Sequence, residues 1–319
     1  MTNSDHPQAG VAPRRVAVLT HSRRGVAHQV AQQVVGSLRD HGLSVRLVEN
    51  EEPAVEVGAG PGIEIVAADD LVDGCDLVIT LGGDGTILRA AELTRERGIP
   101  ILGVNLGHVG FLAELESDDV DSMIDAVVSG RYAIEERLTV DVDILRDKSV
   151  IASTWALNEA SVEKAARERM LEVVIEVDGR PLSRFGCDGV VCATPTGSTA
   201  YNFSAGGPVV WPTVEALLMV PISAHALFAR PLVVAPSSVL AVEVLADTQG
   251  AGILWCDGRR RVELPPGARV EVRRGATAVR LVRLHQAPFT DRLVAKFDLP
   301  VDGWRGLAQR RAADRENAT

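Results

Sequence analysis

The first part of the chain alternates short apolar runs with stretches of helical periodicity. Residues 16–20 (VAVLT) form an apolar run that is typical of a buried parallel strand. Residues 26–38 then place Val or Leu at every fourth position, which predicts a helix. Gly42 follows, where a helix end favours a residue with positive φ. Residues 44–49 predict a second strand, so the chain opens in strand, helix, strand order.

The same alternation continues to about residue 135. The predicted elements, in chain order, are a strand at 76–81, a helix at 87–93 stopped by residues 98–100, a strand at 101–104, and a helix at 120–128 with Ser117 as its N-cap. Residues 51–70 are rich in Glu, Gly and Pro and predict an irregular surface loop. Strands that alternate with helices predict a Rossmann-like α/β domain, in which helices cover a parallel sheet.

Past about residue 135 the periodicity changes from helical to alternating. Apolar residues alternate with polar ones at 140–144 and again at 173–177, which is typical of half-buried strands. Asp178–Gly179 and Asp257–Gly258 are hairpin-turn dipeptides. This half of the chain is therefore predicted to be β-rich and β-sandwich-like.

Four segments follow from these patterns. We expect a disordered lead at 1–14, an α/β domain at 15–135, a β-rich domain at 136–290, and a C-terminal segment at 291–319 that returns to the first domain and ends in a mobile tail.

Composition and charge narrow the class of function. A formal net charge of -10 argues against a generic nucleic-acid binder, which needs a basic surface. No apolar run approaches 18 residues, so no membrane span is expected. The 4 cysteines show no zinc-site spacing, which favours reduced thiols in a cytoplasmic protein.

A glycine loop, Gly82-Gly83-Asp84-Gly85-Thr86, joins the third predicted strand to the helix after it. Such a loop suits phosphate, because backbone N–H groups can approach the ligand and the helix end carries partial positive charge. The Asp84 carboxylate would repel phosphate unless it had a task, such as holding Mg²⁺ or accepting a proton from a hydroxyl. The alternative is a tight turn whose aspartate caps the helix. Neither a Walker A loop nor a G-x-G-x-x-G fingerprint is present here.

This loop resembles the signature shared by NAD kinases, by diacylglycerol and sphingosine kinases and, in a variant form, by phosphofructokinases. The resemblance implies phosphoryl transfer to a hydroxyl. Three later segments resemble NAD kinases in particular: residues 103–112 (GVNLGHVGFL), Asn158–Glu159, and residues 185–208 (FGCDGVVCATPTGSTAYNFSAGGP). The resemblance covers about residues 15–300 in the same order. By these motifs the chain is identified as a member of the NAD kinase family.

The resemblance implies a role for particular residues. Asp84 matches the catalytic base of the family. Residues 136–290, the β-rich domain, match the domain that binds NAD. The positions expected to contact the ligands are Gly85, Arg89, Asn158, Glu159, Arg169, Asp188, Thr199, Ala200, Tyr201 and Ser204. No residue is assigned as a metal ligand.

Several of these residues also have a purely structural explanation. Arg89 and Arg169 could be solvated arginines, Asn158–Glu159 a strand-end turn, and Tyr201 a half-buried core tyrosine. We assign no role to the remaining polar candidates, which are His21, Arg23, Arg24, His108 and Arg259.

The family resemblance implies a Mg²⁺-dependent (or other divalent-cation-dependent) transfer from ATP, or from inorganic polyphosphate, to the 2′-hydroxyl of the adenosine ribose of NAD. It also implies a homo-oligomer, a dimer or a tetramer, with no nucleic-acid or membrane partner. Two alternatives remain. A lipid kinase would need a membrane-facing patch, which the sequence does not show, and a dinucleotide-binding regulator without chemistry would have no use for Asp84.

Overall fold

The fold is described from a computed structural model. It covers residues 8–9, 12, 14–20, 25–49, 58–106, 110–113, 115–116, 120–166, 170–247, 251–284 and 288–301.

The three longest helices of the described chain lie before residue 130. The described residues contain the helices α1 (Gly25–Asp40), α2 (Asp84–Thr94), α3 (Val120–Ser129), α4 (Tyr201–Ser204) and α5 (Phe289–Phe297). Both α1 and α2 lie where the periodicity predicts them, and Gly98 closes the turn after α2 with a φ of 64°. The helix predicted at 120–128 is α3, whereas its predicted cap, Ser117, is outside the described residues.

Strands occur along the whole described chain. Those up to residue 137 are β1 (Gln8–Ala9), β2 (Arg15–Thr20), β3 (Ser44–Val48), β4 (Ile63–Val66), β5 (Leu77–Leu81), β6 (Ile101–Asn105), β7 (Leu115–Glu116) and β8 (Ala133–Arg137). The next are β9 (Val140–Arg146), β10 (Ser149–Ala156), β11 (Glu159–Lys164), β12 (Leu171–Val177), β13 (Arg180–Cys187), β14 (Gly189–Ala193), β15 (Leu217–Ile222), β16 (Leu232–Val234), β17 (Leu240–Val244), β18 (Gly252–Cys256), β19 (Arg260–Leu264) and β20 (Arg269–Arg274). The last is β21 (Val279–Arg283).

The N-terminal domain is a mainly parallel sheet with helices on both faces, as the alternation predicts. Among the described residues its strand order is β1-β8-β21-β6-β5-β2-β3-β4, with β7 beside β6. Every residue of β5 and of β6 is buried, which explains their unbroken apolar sequence. Helices α1 and α3 pack in one apolar cluster and α2 in another, so the sheet is covered on both sides.

Two expectations for this domain need correction. Residues 51–70 were expected to be an irregular loop, but the described part of that segment contains β4 and a 3-10 turn at Ala68–Asp70. The short apolar–polar alternation of β4 was hidden because glycines precede it. In addition, β21 already pairs with β6 and β8, so the chain re-enters the first sheet at Val279, ahead of residue 291.

The C-terminal domain is a β-sandwich, in agreement with the alternating pattern. Its two described sheets have the orders β10-β9-β20-β17-β12-β13 and β16-β15-β14-β11-β18-β19, with antiparallel neighbours throughout. Side chains from both sheets share one apolar cluster. The predicted hairpin turns are confirmed, since Asp178–Gly179 joins β12 to β13 and Asp257–Gly258 joins β18 to β19, all four residues with positive φ.

Candidate active site

The glycine loop connects the carboxyl end of β5 to the first residue of α2. Gly83 is the N-cap of the helix and makes no side-chain cap bond, and Asp84 is the first helical residue. An added Cβ at Gly83 or at Gly85 would meet nothing within 4 Å among the residues that the structure describes. The loop thus leaves open space beside the amide end of a helix, where an anionic group is favoured.

The Asp84 side chain turns to a neighbouring segment of backbone instead of capping its own helix. Its Oδ2 accepts the N–H of Phe111 and its Oδ1 accepts the N–H of Leu112, each at 3.1 Å. A Cβ added at Gly110 would stand 2.5 Å from Oδ1 of Asp84. The carboxylate therefore occupies a fitted position, and each oxygen keeps a second lone pair for another partner.

Asn158 and Glu159 lie at the start of β11 and are held there by Asp257. The Asp257 carboxylate accepts the N–H groups of Leu157 at 3.0 Å, Asn158 at 2.7 Å and Glu159 at 3.3 Å. Its side chain is 2% exposed and also pairs with Arg260 at 2.7 Å. A buried anion on the turn between β18 and β19 thus fixes the backbone of Asn158–Glu159.

Glu159 is a buried carboxyl with unused hydrogen-bonding capacity. Burial, and then the nearby charge of Asp257, raises the pKa of Glu159 to about 8. The backbone N–H of Tyr201 donates to it, whereas Oε2 has no partner among the described residues. Burial also raises the pKa of Asp257. We assign the negative charge of this pair to Asp257, because three amide N–H groups and Arg260 surround it.

The threonine-rich segment packs directly against Asn158. Thr194 donates its hydroxyl to the Leu157 carbonyl at 2.6 Å, and its backbone N–H reaches the Asn158 carbonyl at 2.9 Å. A 3-10 turn follows at Thr196–Thr199, with Ala200 as the N-cap of α4. Tyr201 and Ser204 lie on the exposed side of α4, Tyr201 with 38% of its surface free. The Tyr201 side chain is therefore partly open to solvent.

Asp188 lies in the connection between β13 and β14. Its carboxylate forms an ion pair with Lys164, which together with a hydrogen bond from Ser223 lowers the pKa of Asp188. Burial, followed by the charges of Glu163, Glu159 and Asp188, raises the pKa of Tyr201. Burial and these carboxyl groups therefore both disfavour the ionised form of the tyrosine.

An ion-pair network joins α2 to the hairpin that carries Asp257. Glu92 accepts two bonds from Arg259, at 3.0 and 3.1 Å, and lies 3.3 Å from Arg260. Arg260 in turn stacks on Trp155, its guanidinium 4.2 Å from the ring centroid. Arg89 lies one turn before Glu92 on the same side of α2 and is partly exposed. The network joins the two domains near the C-terminal end of α2.

Most of the predicted site residues fall into three groups, and Asp188 lies between β13 and β14. The structure places Asp84, Gly85 and Arg89 on α2, Asn158 and Glu159 at the start of β11, and Thr199, Ala200, Tyr201 and Ser204 around α4. Arg169, His21, Arg23, Arg24 and His108 lie outside the described residues.

Sequence reasoning missed the residues that position these groups. Asp257 was read only as part of a turn, and the Phe111 and Leu112 amides carry no side-chain signal. The family segment at 103–112 contains both amides, and it was the only pointer available.

Two family models match the chain. The ATP-NAD kinase N-terminal domain matches residues 2–132, and the ATP-NAD kinase C-terminal domain matches residues 157–284. The chain belongs to the NAD kinase family. It is similar to NAD kinase 2 of Streptomyces avermitilis, at 62% identity over 92% of this chain and 97% of that protein. It is also similar to the NAD kinase of Thermobifida fusca, at 59% identity over 95% of this chain and 94% of that one.

Solved structures of NAD kinase type have the same fold. Yeast NADH kinase complexed with NADH superposes with a TM-score of 0.82, at 24% identity over 94% of this chain and 90% of that chain. An NAD kinase from Archaeoglobus fulgidus in complex with ATP superposes with a TM-score of 0.67, at 25% identity over 88% of this chain and 98% of that one. The two-domain NAD kinase fold is therefore confirmed for this chain. None of its described helices is long and apolar enough to cross a membrane.

Proposed function

We propose that this chain transfers the terminal phosphoryl group of ATP to the 2′-hydroxyl of the adenosine ribose of NAD, producing NADP and ADP. A bond forms between the 2′-oxygen and the γ-phosphorus while the β,γ-bridging P–O bond breaks, and the hydroxyl proton passes to Asp84. The observation that carries the proposal is the Asp84 carboxylate, held by two amide N–H groups at the end of the glycine loop.

The chemistry of the loop supports this role for Asp84. The amide end of α2 and the open space beside Gly83 and Gly85 suit the donor's phosphates. A carboxylate beside them would be unfavourable unless it received a proton during transfer. Phosphoryl transfer requires positioning and charge stabilisation more than covalent help from the protein, so a fixed carboxylate is what the reaction needs.

The second group of residues supports a dinucleotide as acceptor. Glu159 is 7% exposed and its Oε2 is unpaired among the described residues. A ribose hydroxyl both donates and accepts, so it can pair with this carboxyl in either protonation state. We propose that Asn158 and Glu159 bind a ribose and that Tyr201 stacks on a base. We propose that Asp188, Thr199, Ala200 and Ser204 complete the acceptor side and that Gly85 and Arg89 lie toward the phosphates. The ligand contact expected of Arg169 stays a prediction.

A divalent cation, with Mg²⁺ as our first choice, is proposed to accompany the donor. No group of three or more His, Cys, Asp or Glu side chains that could cage a metal occurs within the described part of the chain. We propose that the triphosphate of the donor would hold most of the cation's coordination sphere, as is common for Mg²⁺, with Asp84 as a candidate further ligand. When bound, the cation would neutralise charge on the transferring phosphoryl group.

A homo-oligomer in the cytoplasm also remains a proposal. The 4 cysteines are free and buried, as in proteins of reducing compartments. Leu227 and Phe228 expose large apolar side chains that a second copy would cover. Light scattering of the purified protein tests the proposal, and a monomeric mass at micromolar concentration would contradict it.

One assay tests the function itself. The purified chain is incubated with NAD, Mg²⁺ and either ATP or inorganic polyphosphate, and NADP is measured with an NADP-specific dehydrogenase. We expect NADP with ATP and none when the donor is omitted. The polyphosphate arm decides the range of donors, and a parallel arm with diacylglycerol or sphingosine tests the lipid-kinase alternative. Absence of NADP with both donors would leave a dinucleotide-binding regulator as the better reading.

A further inference from the structure

The backbone at Phe111 and Leu112 is hydrogen-bonded through both its N–H groups and its carbonyl groups. Its N–H groups donate to Asp84, as described above. Its carbonyl groups face the other way: Arg292 donates to the Phe111 carbonyl at 3.0 Å, and Arg283 donates to the Leu112 carbonyl at 3.2 Å. The two arginines come from α5 and from the end of β21, which follow this peptide by more than 170 positions in the chain.

The C-terminal helix α5 supports the same peptide with aromatic contacts. The Phe111 ring lies 6.0 Å from the ring of Phe289 and 5.8 Å from that of Phe297, measured between centroids. Phe297 also stacks at 4.6 Å on Phe203 of α4. One helix therefore touches both the peptide that holds Asp84 and the helix that carries Tyr201.

We propose that Arg292 is a positioning residue for the Asp84 carboxylate. By fixing the Phe111 carbonyl it sets the direction of the Leu112 N–H, which belongs to the same peptide unit and donates to Oδ1 of Asp84. Arg283 anchors the next peptide unit through the Leu112 carbonyl. This inference rests on the proposed function, because it concerns the residue assigned there as base.

Geometry explains why such support would matter. A carboxylate turns about its side-chain torsions, and a displacement of about 1 Å at a reacting group can lower a rate by about 10²-fold. The position is tight, since a Cβ at Gly110 would already meet Oδ1 at 2.5 Å. Loss of the Arg292 bond would leave the Phe111 carbonyl without a side-chain donor among the described residues. Arg283 would still hold the Leu112 carbonyl, so the peptide unit between Phe111 and Leu112 would be less tightly fixed.

The test compares variants of the full-length enzyme at saturating and limiting substrate. Arg292→Met removes the guanidinium and keeps the length of the side chain. We expect kcat to fall about tenfold, while the KM values for NAD and ATP stay within about twofold. Arg292→Lys retains one donor for the carbonyl and should recover kcat to within about threefold of the wild type.

A matched control comes from the same part of the sheet. Arg280 on β21 also donates to a backbone carbonyl, that of Gly98 at 3.4 Å, and pairs with Glu136. Arg280→Met should leave both kcat and KM near the wild-type values. Thermal unfolding of all variants identifies any general loss of structure, and a kcat that falls in parallel with Tm in both Met variants would overturn the inference.

A double-mutant cycle separates this inference from the proposed function. If Arg292 acts through Asp84, Arg292→Met should change the residual rate of an Asp84→Asn enzyme less than twofold. A full tenfold effect in that background would overturn the positioning role. If instead Asp84→Asn alone leaves turnover unchanged, the proposed base fails. If Asp84→Asn is impaired while Arg292→Met is fully active, only the positioning role fails.

Discussion

Gly197 lies against the backbone of Asn158: a Cβ at position 197 would stand 2.0 Å from the Asn158 carbonyl oxygen and 2.4 Å from its carbonyl carbon. The same oxygen accepts the N–H of Thr194, so it has no freedom to withdraw. The 3-10 turn and the start of β11 are therefore packed at the limit of backbone approach, and only glycine fits between them.

Substitution of this glycine should damage both stability and NAD binding. Gly197→Ala forces two backbones apart, and overpacking of this kind costs about 1–3 kcal/mol. Urea unfolding measures the loss, and the KM for NAD should rise because Asn158 shifts. The control is Gly36→Ala in α1, where an added Cβ meets nothing within 4 Å and helix propensity favours alanine. Equal stability of the two variants would contradict the steric argument.

The two Asp-Gly hairpins allow a matched comparison of one substitution. Asp257→Asn puts an amide group among three N–H donors and leaves Arg260 without its buried partner. We expect a loss of about 3 kcal/mol in the free energy of unfolding and a raised KM for NAD. Asp178 occupies the same turn position but is exposed, with the N–H of Val239 as its backbone donor.

Asp178→Asn should accordingly lower the free energy of unfolding by less than about 1 kcal/mol and leave the KM for NAD unchanged. If both variants lost the same stability, the buried position of Asp257 would have no special importance.

The buried Glu159 should make stability depend on pH. Its pKa is about 8 in the folded chain, against roughly 4.3 for an unfolded glutamate. Between these pH values the folded state holds a proton that the unfolded state has released. The contribution of Glu159 to the free energy of unfolding is therefore most favourable at low pH and falls as the pH rises toward 8. Glu159→Gln replaces the titratable carboxyl with an amide that does not ionise. The free energy of unfolding of this variant should therefore fall less between pH 5 and 8 than that of the wild type. Parallel pH curves for the two proteins would count against the buried neutral carboxyl.

Asp84→Asn tests the proposed base directly. The fold should be retained, since the side chain is only partly buried, while kcat falls by about 10²–10⁴ because the amide cannot accept the hydroxyl proton. Asp76 offers a control, because it too accepts two backbone N–H groups, from Arg14 at 2.9 Å and Arg15 at 3.1 Å, at the other end of β5. Asp76→Asn should leave kcat unchanged. Near-normal turnover of Asp84→Asn in steady-state assays would remove the residue from the base role.

The sequence alone was sufficient for the elements and for the class of chemistry. Apolar periodicity is a local property, so α1, β5 and α2 could be predicted from a few consecutive residues. The Asp-Gly turns could be predicted for the same reason, since the positive φ of both residues is a preference of the dipeptide itself. The glycine loop predicts a phosphate site. This prediction can be made from sequence because such a loop depends on missing side chains, which a sequence displays directly. Four strands of the first part were not predicted: β4, in a segment whose glycines concealed it, β1, inside the segment that was expected to be a disordered lead, and the strands β7 and β8.

Tertiary structure decided which groups hold the reactive residues. Asp84 meets amides 27 and 28 positions away, Asp257 meets amides 98 to 100 positions away, and Arg292 reaches a carbonyl 181 positions away. Each of these contacts depends on strand order, register and domain packing, and none leaves a local pattern. Backbone N–H and carbonyl groups occur at nearly every residue, so a sequence cannot show which of them will face a carboxylate. The residues of the candidate site could thus be proposed from the sequence, whereas their orientation depends on the fold.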